Sequence, residues 1–259
     1  MKISKRIIFF FLLISALSLN AEFNIQNLAI NTTNDVLNDY LNFYSKENIF
    51  RLASVIGVAG VFANTSLDGN SQDYFQENIR KKSTDDFSKL IRDCGSGKIT
   101  IPIYLAVTFG SEFAKETYFG SIINKWGKRT LRSYLVGVPV LLTFQRVLGG
   151  SRPYEFGSFW HLYNDDNAVS GHCFMGAIPF LSAAKMTDNI YLKSCFYFAS
   201  TLTGLTRIND NKHFISQVIL GWWIAYISSD AIDKTEFNKL HIIPSLIREN
   251  IGLSLNLNF

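Results

Sequence analysis

Cysteine, proline, methionine and histidine are all scarce in this chain: 259 residues hold three, five, three and four of them. No Cys-x-x-Cys pair and no Cys/His ligand spacing occurs, which argues against a structural zinc site. Three cysteines permit at most one disulfide in an oxidising compartment and leave one thiol over. Cys173 and Cys195 lie in apolar, helix-like segments, so both read as small core residues. Charge of one sign is also in short supply. A net formal charge of +4 suits an anionic substrate or a membrane surface and does not point to nucleic acid. Repeats and low-complexity linkers are absent.

Few apolar runs reach the length a bilayer helix needs. At the N-terminus, Met1-Lys2-Ile3-Ser4-Lys5-Arg6 precede an apolar stretch over 7–17 and a small residue, Ala21. This pattern of basic, apolar and cleavable regions predicts a signal peptide over 1–21 and a mature chain starting at Glu22 in an extracytoplasmic space such as a periplasm. Five further apolar segments, about 101–113, 131–148, 170–184, 191–205 and 213–229, have helix length and predict a mainly α protein. A buried soluble bundle is preferred over a membrane-embedded one because few segments reach span length, although the two patterns look alike at this length. Residues 22–100 read as an N-terminal helical and loop region. Asn34-Asp35 is the candidate cap of its first helix, 52–63 an apolar second one, and 64–100 polar and turn-rich, with helix around 74–80 and a helix start at 84–86. The basic cluster Lys125, Lys128, Arg129 and Arg132 reads as a solvated loop, with anionic lipid headgroups as the alternative partner. Over 236–259 the period-two alternation of Leu253, Leu255, Leu257 and Phe259 predicts a terminal β-hairpin.

Three polar motifs interrupt the apolar segments. Gln145 precedes Ser151-Arg152-Pro153; Val169 precedes Ser170-Gly171-His172; Thr206-Arg207 is followed by His213 and Gln217. Buried charge is costly unless paired, and a phosphate dianion is the natural partner of two guanidinium forks. Pro153 forces Arg152 into an extended conformation on a fixed loop. Ser170 is a good helix N-cap; Gly171 allows close backbone approach, and free N–H groups at a helix start bind phosphate oxygens. His213 is placed at the start of the last long helix, where the helix dipole favours a neutral imidazole. Gln217 lies one turn further on, within reach of His213.

In these motifs the chain resembles the type 2 phosphatidic acid phosphatase superfamily, which includes bacterial acid phosphatases and vanadium-dependent haloperoxidases. The resemblance covers about residues 130–230, and it implies a single helical bundle with the phosphatase-like core over 101–235. It also implies hydrolysis of phosphomonoesters, small or lipid-borne, with no metal. In that scheme His213 is the nucleophile that forms a phosphohistidine, and His172 protonates the leaving alcohol and then activates water. Arg152, Arg207, Ser170 and Gly171 hold the phosphate oxygens. Departures fall at two charged positions. Gln145 stands where the family has lysine in the phosphate site, and Gln217 stands where it has the aspartate that orients the nucleophile. If the Gln217 oxygen accepts the His213 Nδ1 proton, Nε2 is free to attack; a flipped amide gives the wrong tautomer. The alternatives are a vanadate-binding haloperoxidase-like enzyme, with vanadate as its cofactor, and a decayed anion- or lipid-binding protein.

Overall fold

The computed structural model describes residues 25–238, except 156, and the backbone of two short strands beyond them. The expected signal peptide lies outside the described residues. By contact density the chain divides into two units, Met1–Leu37 and Asn38–Phe259.

Among the described residues there are nine α-helices: α1 (Ile25–Phe43), α2 (Lys46–Ala63), α3 (Ser66–Tyr74), α4 (Lys82–Ile91), α5 (Gly97–Glu112), α6 (Tyr118–Leu148), α7 (Gly171–Lys185), α8 (Ile190–Asn209) and α9 (Ile215–Asn238). A π turn (Phe75–Ile79) extends α3, and a 3-10 turn (Arg92–Gly95) joins α4 to α5. Beyond the bundle, β1 (Ile242–Ile247) and β2 (Asn250–Leu255) pair antiparallel. The side chains of the expected hairpin lie outside the described residues.

Helix α9 is the axis of the bundle. It packs against α2, α6, α7 and α8 and has almost no exposed face: Leu220, Ile224, Ile227 and Ile232 are all fully buried. Phe174, Ile178 and Leu181 of α7 complete the same core. Each such side chain contributes about 1.5–3 kcal/mol on leaving water. Small residues set the distances. A Cβ on Gly137 of α6 would lie 2.3 Å from Ser228 Oγ, and one on Gly221 of α9 would lie 2.4 Å from the Ser170 carbonyl oxygen. The second contact brings the α7 N-terminus directly onto α9.

Several local expectations are corrected. Asn34-Asp35 lie inside α1, which already runs from Ile25; the cap in this region is Ser45, whose side chain accepts the Asn48 N–H at the start of α2. Residues 64–100 are mostly helical, because Thr65 caps α3 and Thr84 closes the first turn of α4 on the Lys81 backbone. The basic cluster is a helical face of α6 and not a loop. Arg132 holds Asp39 through two bonds of 2.7 Å and also pairs with Glu236. Arg129 pairs with Asp233, and Lys128 with Glu112. All three cysteines are free: Cys173 is buried, but Cys94 and Cys195 are exposed, so Cys195 is not a core residue.

Among the described residues no single helix is long and apolar enough to cross a membrane; α2 and α3 with its π turn pass that test only together, bent by 72°. Apolar side chains nevertheless crowd the outer faces of α5 (Ile101, Ile103, Phe109), the α6 start (Tyr118, Phe119) and α8 (Tyr191, Leu192, Phe198).

Candidate active site

The three motifs converge at one end of the bundle. Gly149 ends α6 in the left-handed region (φ 64°), where a Cβ would lie 1.8 Å from the His161 carbonyl oxygen. Glycine is the residue that tolerates both demands. The chain then enters a loop tied down at each end: His161 N–H donates to Gly149 O and Asn167 N–H to Gly150 O. Against α2, Ser158 donates to Ala63 O and Trp160 N–H to Asn64 Oδ1. Arg152 is presented from this loop. Its Nε donates to Asn167 Oδ1 and its Nη1 to Tyr154 Oη, each at 2.9 Å, leaving the rest of the guanidinium fork for a ligand.

Ser170 caps α7 as expected, its Oγ accepting the Cys173 N–H, and its own N–H donates to the Gln217 carbonyl. Gly171 and His172 open the helix beside it. His172 is half-buried, and burial holds its pKa below the usual histidine value, with Arg207 and Arg152 adding to the effect and Asp93 opposing it.

Arg207 lies in the last turn of α8, not beyond it. Its Nε is buried with no hydrogen-bond partner, and its nearest acid, Asp210, is 3.7 Å away. Burial pushes its pKa down, Asp210 opposes this, and the charges of Arg152 and Arg92 push it down further. A buried guanidinium with an unused donor and cationic neighbours is an open anion site. The turn after it is rigid. Lys212 and His213 N–H both donate to Arg207 O, and Asn211 takes a positive φ of 55°.

His213 sits two residues before α9. Its Nδ1 is 2.8 Å from Gln217 Oε1. The same oxygen accepts the Phe214 N–H at 3.2 Å, while Gln217 Nε2 donates to the Ser151 carbonyl oxygen at 2.7 Å. A backbone N–H only donates and a carbonyl only accepts, so these two partners fix which end of the amide is which. The amide oxygen faces His213, Nδ1 carries the proton, and Nε2 is unprotonated. Burial pushes the His213 pKa down to about 3; the bond to Gln217 opposes this, and Arg207, Arg152 and His172 reinforce it. The imidazole is therefore neutral throughout the range in which phosphate monoesters are dianions.

Gln145 does not stand free. Its Nε2 donates to Val169 O at 2.8 Å, steadying the Ser170-Gly171 turn instead of adding charge. Residues outside the motifs also brace the site, and the spacing of Asp68, Gln72 and Gln76, four apart along one helical face, is the signal that marks them. Asp68 accepts both the N–H and the hydroxyl of Ser216 at the start of α9. Gln72 donates to Ile208 O and Asn211 Oδ1, and Gln76 to Ile208 O. From α4, Asp85 accepts Asn209 and Ser88 donates to Asp210. No motif points to Arg92, Tyr154 or Lys212, which stacks its ammonium on the Tyr154 ring at 4.8 Å.

Two arginines, a capped helix start and two histidines of unequal burial are gathered at one end of the helical bundle. Residues 130–234 match the PAP2 superfamily, and the bundle is similar to two solved structures of that type. One is the transmembrane PAP2 type phosphatidylglycerolphosphate phosphatase from Bacillus subtilis (14% identity, TM-score 0.53, 78% of this chain and all of that one). The other is Aquifex aeolicus LpxE (18% identity, TM-score 0.50, 66% of this chain and 98% of that one). The matched residues are the segment that carries all three motifs. No curated protein matches it by sequence.

Proposed function

We propose that the protein is a metal-independent phosphatase of lipid phosphomonoesters, acting at an extracytoplasmic membrane face through a phosphohistidine. The observation that carries this reading is the His213–Gln217–Ser151 chain, which leaves a neutral imidazole with Nε2 unprotonated beside two arginines. The Nε2 lone pair attacks phosphorus, the ester P–O bond breaks, and the leaving oxygen takes its proton from His172. Neutral His172 then takes a proton from water; the hydroxide formed attacks phosphorus, and the P–N bond breaks to return neutral His213. Arg152, Arg207, Ser170 and the Gly171 N–H hold the equatorial oxygens as charge develops. Substrate binding prepares the acid: the dianion raises the pKa of His172, whose partners in the empty site lower it.

Gln217 orients the nucleophile but brings no negative charge to the phosphorylated ring. In a serine protease the corresponding acid-to-amide exchange costs about 10⁴ in rate because it gives the wrong tautomer. Here the bonds to Ser151 and Phe214 favour the productive tautomer, which supports an active enzyme over a decayed binding site. The lipid substrate is supported by the exposed apolar faces of α5 and α8, since patches of that kind mark membrane or partner contacts, and by Tyr154, Phe159 and Leu162 exposed on the loop that carries Arg152.

The test is inorganic phosphate release without added metal from a short-chain phosphatidic acid and from p-nitrophenyl phosphate, with His213→Ala alongside. Release that favours the lipid and vanishes in the variant supports the reading. Equal or absent release contradicts it.

A further inference from the structure

The family's lysine position is neutral here, and Gln145 spends its amide on Val169 O. A cationic group from outside the motif region nevertheless lies near enough to Arg207 for its charge to act on it. The 3-10 turn Arg92–Gly95 packs against the start of α7 and against α8, so closely that a Cβ on Gly95 would lie 2.5 Å from the His172 carbonyl oxygen. This seats Arg92 beside the end of α8 that carries Arg207. The Arg92 side chain is 49% exposed, and its nearest acid is the adjacent Asp93 at 3.7 Å, too far for a hydrogen bond. Arg207 in turn has a buried Nε with no partner and feels the Arg92 charge as a repulsion. The charges of Arg92 and Arg152 both act on the buried Arg207, a repulsion that an entering anion relieves. Asp93, on the same turn, acts on His172 in the opposite sense.

We propose that Arg92 is a substrate-phosphate ligand, supplying from the α4–α5 turn the third cationic group that position 145 lacks. This rests on the phosphatase reading for its catalytic consequence but not for its binding consequence. A charge-assisted contact to phosphate corresponds to about a ten- to hundredfold change in affinity.

The test pairs kinetics with binding. Vanadate and inorganic phosphate are titrated against the full chain and Arg92→Ala, Arg92→Lys and Arg92→Ala/Gln145→Lys, following the shift in melting temperature, and KM and kcat are measured on p-nitrophenyl phosphate. The expected result is that Arg92→Ala melts like wild type without ligand but binds vanadate about ten- to hundredfold more weakly and raises KM. Arg92→Lys retains most of the affinity, and Gln145→Lys restores part of it. Arg92→Ala binding as tightly as wild type overturns the proposal, even if phosphate release is intact. Arg92-dependent binding in a chain that releases no phosphate upholds the ligand role and sinks the phosphatase reading instead. If Arg92→Ala lowers the ligand-free melting temperature, Arg92→Lys decides alone: retained affinity supports the role, and a loss equal to that of the alanine variant overturns it.

Discussion

The motif-bearing helices α6 to α9 and the braces α3 and α4 serve the same site by different means. The first set supplies the side chains of the candidate site, and its signature is short, local and chemical. The second set supplies hydrogen bonds to the back of those side chains: Asp68 on Ser216, Gln72 and Gln76 on the 208–211 turn, Ser88 on Asp210. The contrast separates what a reacting group needs from what holds it still. Reacting groups are constrained by chemistry, so their types and spacings are recognisable. A brace needs only a donor or acceptor in the right place, and many residue types meet that need.

The contrast predicts unequal mutational costs. Among residues that position others, the largest falls on Gln217, a motif residue that also acts as a brace. Gln217→Ala strips the partner from His213 Nδ1 and leaves the Ser151 carbonyl and Phe214 N–H unsatisfied; kcat is expected to drop by about 10³–10⁴, measured as steady-state phosphate release. Gln217→Asp is expected to fall short of wild type despite restoring the family's residue, because a carboxylate one methylene shorter cannot donate to Ser151 O. An increase in kcat would show that the missing charge outweighs the lost bond.

Next is the pH dependence. In the unfolded chain His213 titrates near 6.5, and in the folded protein at about 3. Between those values the unfolded state binds a proton that the folded state excludes. Stability therefore declines as pH falls through this window, by at most about 1.4 kcal/mol per pH unit. Thermal melts from pH 7 to 4 should show the decline, and His213→Asn should flatten it. In the empty site His172 loses its proton below the usual histidine value; under the proposed reaction, kcat/KM on an alkyl phosphate, whose alcohol needs protonation, is therefore expected to fall from below about pH 6.5 upward.

Braces should cost less. Gln72→Ala removes bonds to Ile208 O and Asn211 Oδ1 and is expected to destabilise the protein by about 1–3 kcal/mol, read in denaturant melts, with kcat reduced about tenfold or less. A full loss of activity in a folded Gln72→Ala protein would erase the distinction between the two sets. The smallest effect concerns the thiols: an alkylating reagent should modify Cys94 and Cys195 and spare Cys173, whose thiol burial pushes up to about 12, as peptide mass mapping would reveal.

The same contrast explains what the sequence made legible. Arg152, Ser170, Gly171, His172, Arg207, His213 and Gln217 converge because each motif sits at a helix end that glycine or a cap defines, and those signals are local. The orientation of the Gln217 amide was not legible, since it depends on Ser151, 66 residues away in sequence. The basic residues of α6 resemble a loop because their acidic partners, Asp39, Asp233 and Glu236, lie about a hundred residues distant. The start of α4 was legible at 84–86, but α3 was obscured by its polarity: it buries hydrogen-bonding side chains such as Asp68 and Gln72 where an amphipathic helix buries leucine.

The most direct test of the central claim is to look for phosphate on His213 itself. The enzyme turning over p-nitrophenyl phosphate is quenched in alkali, which preserves phosphohistidine, and digested for mass spectrometry. The account predicts phosphate on His213 in the wild type, more of it in His172→Ala, where the aryl leaving group needs no acid but water has lost its base, and none in His213→Ala. Sustained turnover with His213 unmodified in both wild type and His172→Ala would contradict it.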